Sequence, residues 1–248
     1  MVYAKCYTMK NILIPTTLEA DTIGAVKTAA QHASGHNCAV VLMLVCDVPD
    51  TYSAGYLLQK IKPAYTTAQS DVLTRCKQLI KATPNCVLQV HFQYGMSAPL
   101  LKNIIEHKAI GLTLLTPSYK QEKEKIYRYC TALLLNSKCP ILHLGQNCTG
   151  QQLNKAMYLE QEKTTIGLPQ LQRLLKGRFS FTIVSRATLA EEHNPEDLAP
   201  LLAETIFKND IDLLVETRKP EKLKLSKKSK MSVNEALGMP VLSLCETI

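Results

Sequence analysis

Short continuous apolar runs alternate along the chain with longer stretches whose apolar positions recur at helical spacing. The run Asn11-Ile12-Leu13-Ile14, set between Lys10 and Pro15, predicts a buried strand. Residues 16–21 read as a polar turn, and Asp21 or Thr22 is placed to cap a helix over 23–33, with Gly35 just beyond its end. The aliphatic residues 38–46 predict a long strand in the middle of a parallel sheet. After an irregular segment at 47–61, a helix over 64–82 carries Val72, Leu73, Cys76, Leu79 and Ile80 on one face. A strand at 87–94, a helix capped by Ser97 and running to 108, and a strand at 112–116 follow. A polar loop from Pro117, a helix over 123–135 and a strand at 141–144 close the series. Strict β-α alternation predicts a parallel sheet with helices on both faces.

The second part of the chain repeats this plan. Ala98-Pro99-Leu100-Leu101, Ile105, Ile110 and the run 112–116 recur 101 residues later as Ala199-Pro200-Leu201-Leu202, Ile206, Ile211 and 213–217. A second pair, Cys139-Pro140-Ile141-Leu142 and Met239-Pro240-Val241-Leu242, recurs at an offset of 100. That period is too long for a solenoid repeat and suits a duplicated small domain. Two domains are therefore expected, 1–145 and 146–248. The second has strands at 156–159, 179–184, 213–216 and 241–244, helices at 168–175 and 196–207, and a helical remnant at 233–237. It is about 40 residues shorter than the first, the length of one β-α unit.

Composition narrows the class. No stretch approaches the ~20 apolar residues that span a bilayer, and residues 1–10 carry no apolar signal core. A soluble cytoplasmic protein without membrane partners is the expectation. The nine cysteines include no C-x-x-C pair and no grouping with histidine, so neither metal nor redox use is expected. The six histidines are dispersed and form no nucleophile-base motif, so the chain is read as a non-enzyme with no catalytic residue. Net charge is +8, and residues 1–145 hold 15 Lys/Arg against 8 Asp/Glu. The densest basic run is Arg218, Lys219, Lys222, Lys224, Lys227, Lys228 and Lys230. With no aromatic residue interleaved, it reads as a solvated loop, and nucleic-acid binding is not expected.

With these residues in view, the chain resembles the universal stress proteins in their tandem-domain form. The resemblance is carried by Lys10 to Thr16, the helix at 23–33, the block 95–116, and the terminal strands after Pro140 and Pro240. It implies two Rossmann-like α/β domains of the adenine nucleotide alpha hydrolase-like type, with sheet order 3-2-1-4-5 in the first and a reduced second. Ligands would sit at the carboxyl ends of strands 1 and 4, the switch point of an open parallel sheet. The candidate ligand-binding residues there are Pro15, Thr16, Thr17, Val45, Thr116 and Ser118.

In ATP-binding members of that family, the loop after strand 4 is rich in glycine, which lets backbone N–H groups approach phosphate oxygens. Here residues 112–140 contain no glycine, Pro117 lacks an N–H, and Glu122 and Glu124 add negative charge. The loop of the second half, 217–221, is also free of glycine. No cofactor is expected, and ATP is disfavoured. The hydroxyls of Thr16, Thr17, Thr116 and Ser118 are read first as helix caps and loop satisfiers.

The matched last strands carry an assembly reading. An edge strand is a template for pairing, and Ile141, Leu142 and Leu144 correspond to Val241, Leu242 and Leu244. Pairing of these strands would join the two domains of one chain as a pseudo-dimer. The leading expectation is thus a non-enzymatic tandem stress protein working through protein contacts, with a homodimer or another protein as partner. The alternative is a sensor that binds a nucleotide or small molecule in a rearranged first-domain site.

Overall fold

The computed structural model describes residues 11–33, 36–48, 64–145, 152–161, 164, 166–189, 195–219 and 237–246. Residues 1–10, Gly35, most of the irregular segment at 47–61, the basic run beyond Lys219 and the remnant at 233–236 lie outside them. The first half contains β1 (Asn11–Pro15), α1 (Asp21–His32), β2 (Cys38–Cys46), α2 (Thr67–Lys81) and β3 (Cys86–Tyr94). It continues through α3 (Ala98–His107), β4 (Ile110–Leu115), α4 (Pro117–Gln121), α5 (Lys125–Leu135) and β5 (Ile141–His143). The second half contains β6 (Lys155–Gln161), α6 (Leu168–Leu175), β7 (Thr182–Leu189), α7 (Pro195–Asn209), β8 (Leu213–Arg218) and β9 (Val241–Cys245).

All nine strands form one sheet of order β3-β2-β1-β4-β5-β9-β8-β6-β7. The first five have the order 3-2-1-4-5, and the remaining four keep the same plan, with no further outer strand among the described residues. Every pairing is parallel except β5 with β9. The helix starts follow local chemistry. Thr66 and Gln69 form a reciprocal capping box on α2, and Ser97 caps α3 with Pro99 in its first turn.

Several boundaries differ from the sequence expectation. The polar loop after β4 begins as a helical turn, α4, because the Thr116 hydroxyl accepts the Tyr119 amide and Pro117 has a helical φ by construction. The strand expected at 179–184 runs from Thr182 to Leu189, since Phe179 and Phe181 pack against each other before it starts. β6 spans seven residues, longer than expected, because β7 and β8 flank it on both sides. Finally, α1 starts at Asp21 with no side-chain cap, so neither Asp21 nor Thr22 has the capping role expected of it.

The two faces of the sheet differ. One carries a single apolar core that crosses both halves, from Ile12, Val26 and Leu73 to Tyr158, Leu171 and Val215. On the other face the core is divided, with Leu13, Tyr119 and Leu134 in one cluster and Met157, Leu202 and Leu214 in another. Between those clusters lie His143, Ser243, Glu216 and Arg218, on neighbouring strands and on the same face by strand alternation.

Arg218 is the centre of that polar seam. Its guanidinium donates to the carbonyls of Leu135 (3.0 Å), Ser137 (2.9 Å) and Cys139 (2.6 Å) in the first half, and to Ser243 O. A guanidinium has five donors in a rigid fork, and the end of a helix offers carbonyls with no intrahelical partner. The end of α5 is also its negative pole, which favours a cation there. Arg218 is therefore a half-buried pin between the halves and not a member of a solvated basic run. Beside it, burial pushes the Glu216 carboxyl up, while the Ser243 hydroxyl and the charges of Arg218 and Lys120 pull it back. Burial, with Lys120 and Arg218 adding, holds the His143 imidazole down at about 3.

Two outcomes are expected. Arg218→Ala leaves four carbonyls without their donor and should lower the unfolding free energy in urea by about 2 kcal/mol. Arg218→Lys should recover only part of that, because an ammonium cannot span the fork. A change below about 0.5 kcal/mol in the alanine variant would remove the pin.

The second concerns pH. A histidine held below its ordinary 6.5 stabilises fully above that pH, and the contribution is lost as pH falls towards the folded value of about 3 for His143. Glu216, raised from 4.5, acts in the opposite sense above that pH, so only a comparison isolates the histidine. In chemical denaturation at several pH values, His143→Gln should gain on the parent as pH falls from 6.5 towards 3. Parallel curves would contradict the assignment.

Candidate functional site

β1 and β4 are neighbours whose chains leave in opposite directions, β1 through α1 towards β2 and β4 through α4 and α5 towards β5. This is the crevice in which open α/β sheets bind ligands. Its walls are the turn after β1 and the start of α4. Thr16 and Thr116, at 2% and 1% exposure, close the ends of the two strands.

The hydroxyls there are spent within the chain. Thr16 Oγ1 accepts from the Leu18 amide at 2.8 Å and lies 2.7 Å from Thr22 Oγ1. That bond holds Leu18 in the left-handed region, φ 64°, with its side chain buried in the shared core. Thr17 Oγ1 donates to Glu122 Oε1 at 3.2 Å, and Thr17 O accepts from Gln69 at 3.1 Å. The turn is thus tied to the end of α4 and to the start of α2.

The amides that open α4 are occupied in turn. Pro117 has no N–H. Ser118 N donates to Asp21 Oδ2 at 2.9 Å, and Ser118 Oγ donates to Asp21 Oδ1 at 2.6 Å. Tyr119 N donates to Thr116 Oγ1 at 3.3 Å, and Lys120 N to Thr116 O at 3.2 Å. The Asp21 carboxylate thus reaches across from α1 to the first turn of α4. Tyr119 stands where a phosphate loop wants glycine, and its ring is fully buried, edge-on to Tyr127 at 5.7 Å.

The structure thus brings Thr16, Thr17, Thr116 and Ser118 together around this crevice. Pro15 is buried opposite Met43 on β2. Val45 belongs to the core with Leu13 and Leu115 and presents no surface to the crevice. Of the edge-strand residues, Ile141 faces Ser243, Leu142 faces Leu242 and Val241 faces His143 across the antiparallel pair. Leu144 and Leu244 lie just beyond it, in the shared core.

The second half has a crevice of the same kind. Thr217, the counterpart of Thr116 in the repeat, has its Oγ1 2.6 Å from Thr164 Oγ1. Both hydroxyls lie within donating distance of Glu246 Oε1, at 2.6 Å from Thr164 and 2.8 Å from Thr217. Lys219 pairs with the other Glu246 oxygen at 3.6 Å. Each crevice therefore contains a carboxylate supplied by the chain. Sequence reasoning passed over Asp21, Glu246 and Thr164. The available signal was an acidic residue in the first turn after β1, which a capping role explained too readily.

No family model and no curated protein matches the chain. Solved structures do match. A universal stress protein from Archaeoglobus fulgidus DSM 4304 aligns over 95% of this chain and 96% of its own, with 11% identity and a TM-score of 0.54. A candidate universal stress protein from Pseudomonas aeruginosa UCBPP-PA14 covers 96% of this chain and 93% of its own, at 14% identity and a TM-score of 0.52. A protein of unknown function from Pseudomonas aeruginosa PAO1 covers 96% and 92%, at 13% identity and a TM-score of 0.51. These likenesses extend over both halves and are likenesses of fold. The chain has the Rossmann-like α/β architecture of the universal stress protein structures, with the 3-2-1-4-5 order in its first five strands.

Proposed function

We infer that this is a non-enzymatic, universal stress protein-like chain whose two halves form an internal pseudo-dimer and which acts through protein contacts, ATP binding having been lost. The observation that carries the loss of ATP binding is the pair of built-in carboxylates, Asp21 on Ser118 and Glu246 beside Thr217. A triphosphate entering either crevice would meet like charge at close range and find no amide donor at the start of α4. The pseudo-dimer reading is supported by symmetry of register. Pairs 141/243, 142/242 and 143/241, set against the repeat offset of 100, give a local twofold between Leu142 and Leu242.

Protein contact is supported by what the described surface leaves open. β3 and β7 are the free edges of the sheet, with Val87 and Val184 exposed, and Phe207 on α7 is 90% exposed. An unpaired sheet edge can add a strand from a partner.

Calorimetric titration of the nucleotide-free chain with Mg²⁺-ATP is expected to give no saturable heat. Tight, stoichiometric binding would overturn the reading. Independently, Asp21→Ala is expected to cost about 1–2 kcal/mol in urea unfolding, because the Ser118 amide and hydroxyl lose a charged acceptor. An unchanged midpoint would mean that the carboxylate does not hold the loop.

A further inference from the structure

Four leucines floor a cavity of about 290 Å³ that neither crevice includes: Leu112, Leu142, Leu213 and Leu242. They form two pairs under the repeat, 112 with 213 and 142 with 242, so the local twofold runs through the floor. The walls break that symmetry. Thr28 and His32 of α1, with Phe179 and Phe181 from the approach to β7, line it above that floor. His32 and Phe179 have ring centroids 4.9 Å apart, and Phe179 and Phe181 5.4 Å apart. The rim is polar, with exposed Gln31, Gln152, Asn154 and Ser180.

Charge separates this cavity from both crevices. No Lys, Arg, Asp or Glu is among its lining residues, in a chain that carries 29 basic and 21 acidic side chains. Burial, with His36 adding, holds His32 down at about 4, so its ring is neutral at pH 7. The volume is near the ~300 Å³ lower bound of ordinary small-molecule pockets, which are mostly apolar with a few placed polar groups. The leucine floor and the two phenylalanines give water few partners, and an apolar ring seated on them gains dispersion contacts.

We propose that this seam cavity binds a small uncharged molecule built on a flat ring. The ring lies between the leucine floor and the Phe179–Phe181 wall, and a hydrogen-bonding group meets His32 and the rim amides. Aromatic neighbours at these spacings favour an offset or edge-on ring partner, and the absence of charge from the lining disfavours phosphates and carboxylates. Because both halves supply the floor, occupancy stabilises the seam. The proposal does not depend on the crevice reading and stands if ATP binding is found there.

The test uses the full chain and 1-aminoanthracene, an uncharged ring amine with environment-sensitive fluorescence. Saturable binding of one probe per chain is expected, with methyl NMR shifts at Leu112, Leu142, Leu213 and Leu242. Leu142→Phe, which fills the floor, should weaken binding about tenfold or more. If that variant fails to fold, Phe181→Ala, which removes one aromatic wall, should weaken it in the same direction. Absence of saturation, shifts confined to other methyls, or equal affinity in the parent and the folded variant would each overturn the proposal.

Discussion

The antiparallel contact of β5 with β9 is the constraint from which the rest of the architecture follows. Every other pairing is parallel, so this junction alone reverses the direction of the second half. The reversal sends the crevices at β1/β4 and β6/β8 to opposite ends of the sheet. It also aligns Leu142 and Leu242 on one face, where a single core can cross the junction. On the other face, the same register brings His143, Ser243, Glu216 and Arg218 together. Strand alternation permits no third arrangement, since a slip of one residue would exchange the two faces. Close approach at the end of the pair adds a further condition. A Cβ on Gly145 would collide with the carbonyl of Gly238, so the chain can leave β5 there only as glycine.

The crevices illustrate why a fold does not carry a site with it. The switch point between β1 and β4 is present, and so is a helical turn whose amides point into it. What differs is the disposition of those amides. One is absent at Pro117, one is taken by Asp21 and one by Thr116. Such a loop gains rigidity from those bonds. In the second half Glu246, just after β9, accepts from Thr164 and Thr217, whereas Asp21 comes from α1. The two carboxylates are not counterparts in the repeat: Asp21 accepts an amide and a hydroxyl, Glu246 two hydroxyls and the Lys219 ammonium.

Much of this was legible in the sequence because it is written in periodicity. The apolar run at 38–46 reads as a central strand, and β2 lies between β1 and β3 with nearly every residue buried. The two Pro-apolar-Leu runs at 140 and 240 are followed by strands that meet in register. The rest depends on contacts with no local signature. Arg218 looks like one more cation in a basic run, and only the reversal at the seam carries it to the end of α5. Asp21 sits where a cap belongs, yet its partner is 97 residues away. Phe179 and Phe181 resemble the start of a strand because aromatic residues favour strands, but Phe179 packs on His32 of α1 and Phe181 on Phe179. In each case a tertiary partner overrode a sound local reading.

The shortened second half makes sense in the same terms. Its private core is small, with six fully buried residues in the described cluster of Met157 and Leu202. More of its buried apolar side chains, among them Tyr158, Ile166, Leu171, Val215 and Leu244, belong to the core it shares with the first half. A domain of about 100 residues buries a smaller fraction of its surface than a larger one, and here there is no further outer strand among the described residues. The seam supplies the difference: apolar area on one face, and on the other a guanidinium that satisfies carbonyls at and just beyond the end of α5. The pairing of β5 with β9 thus makes the second half a dependent part of one structure.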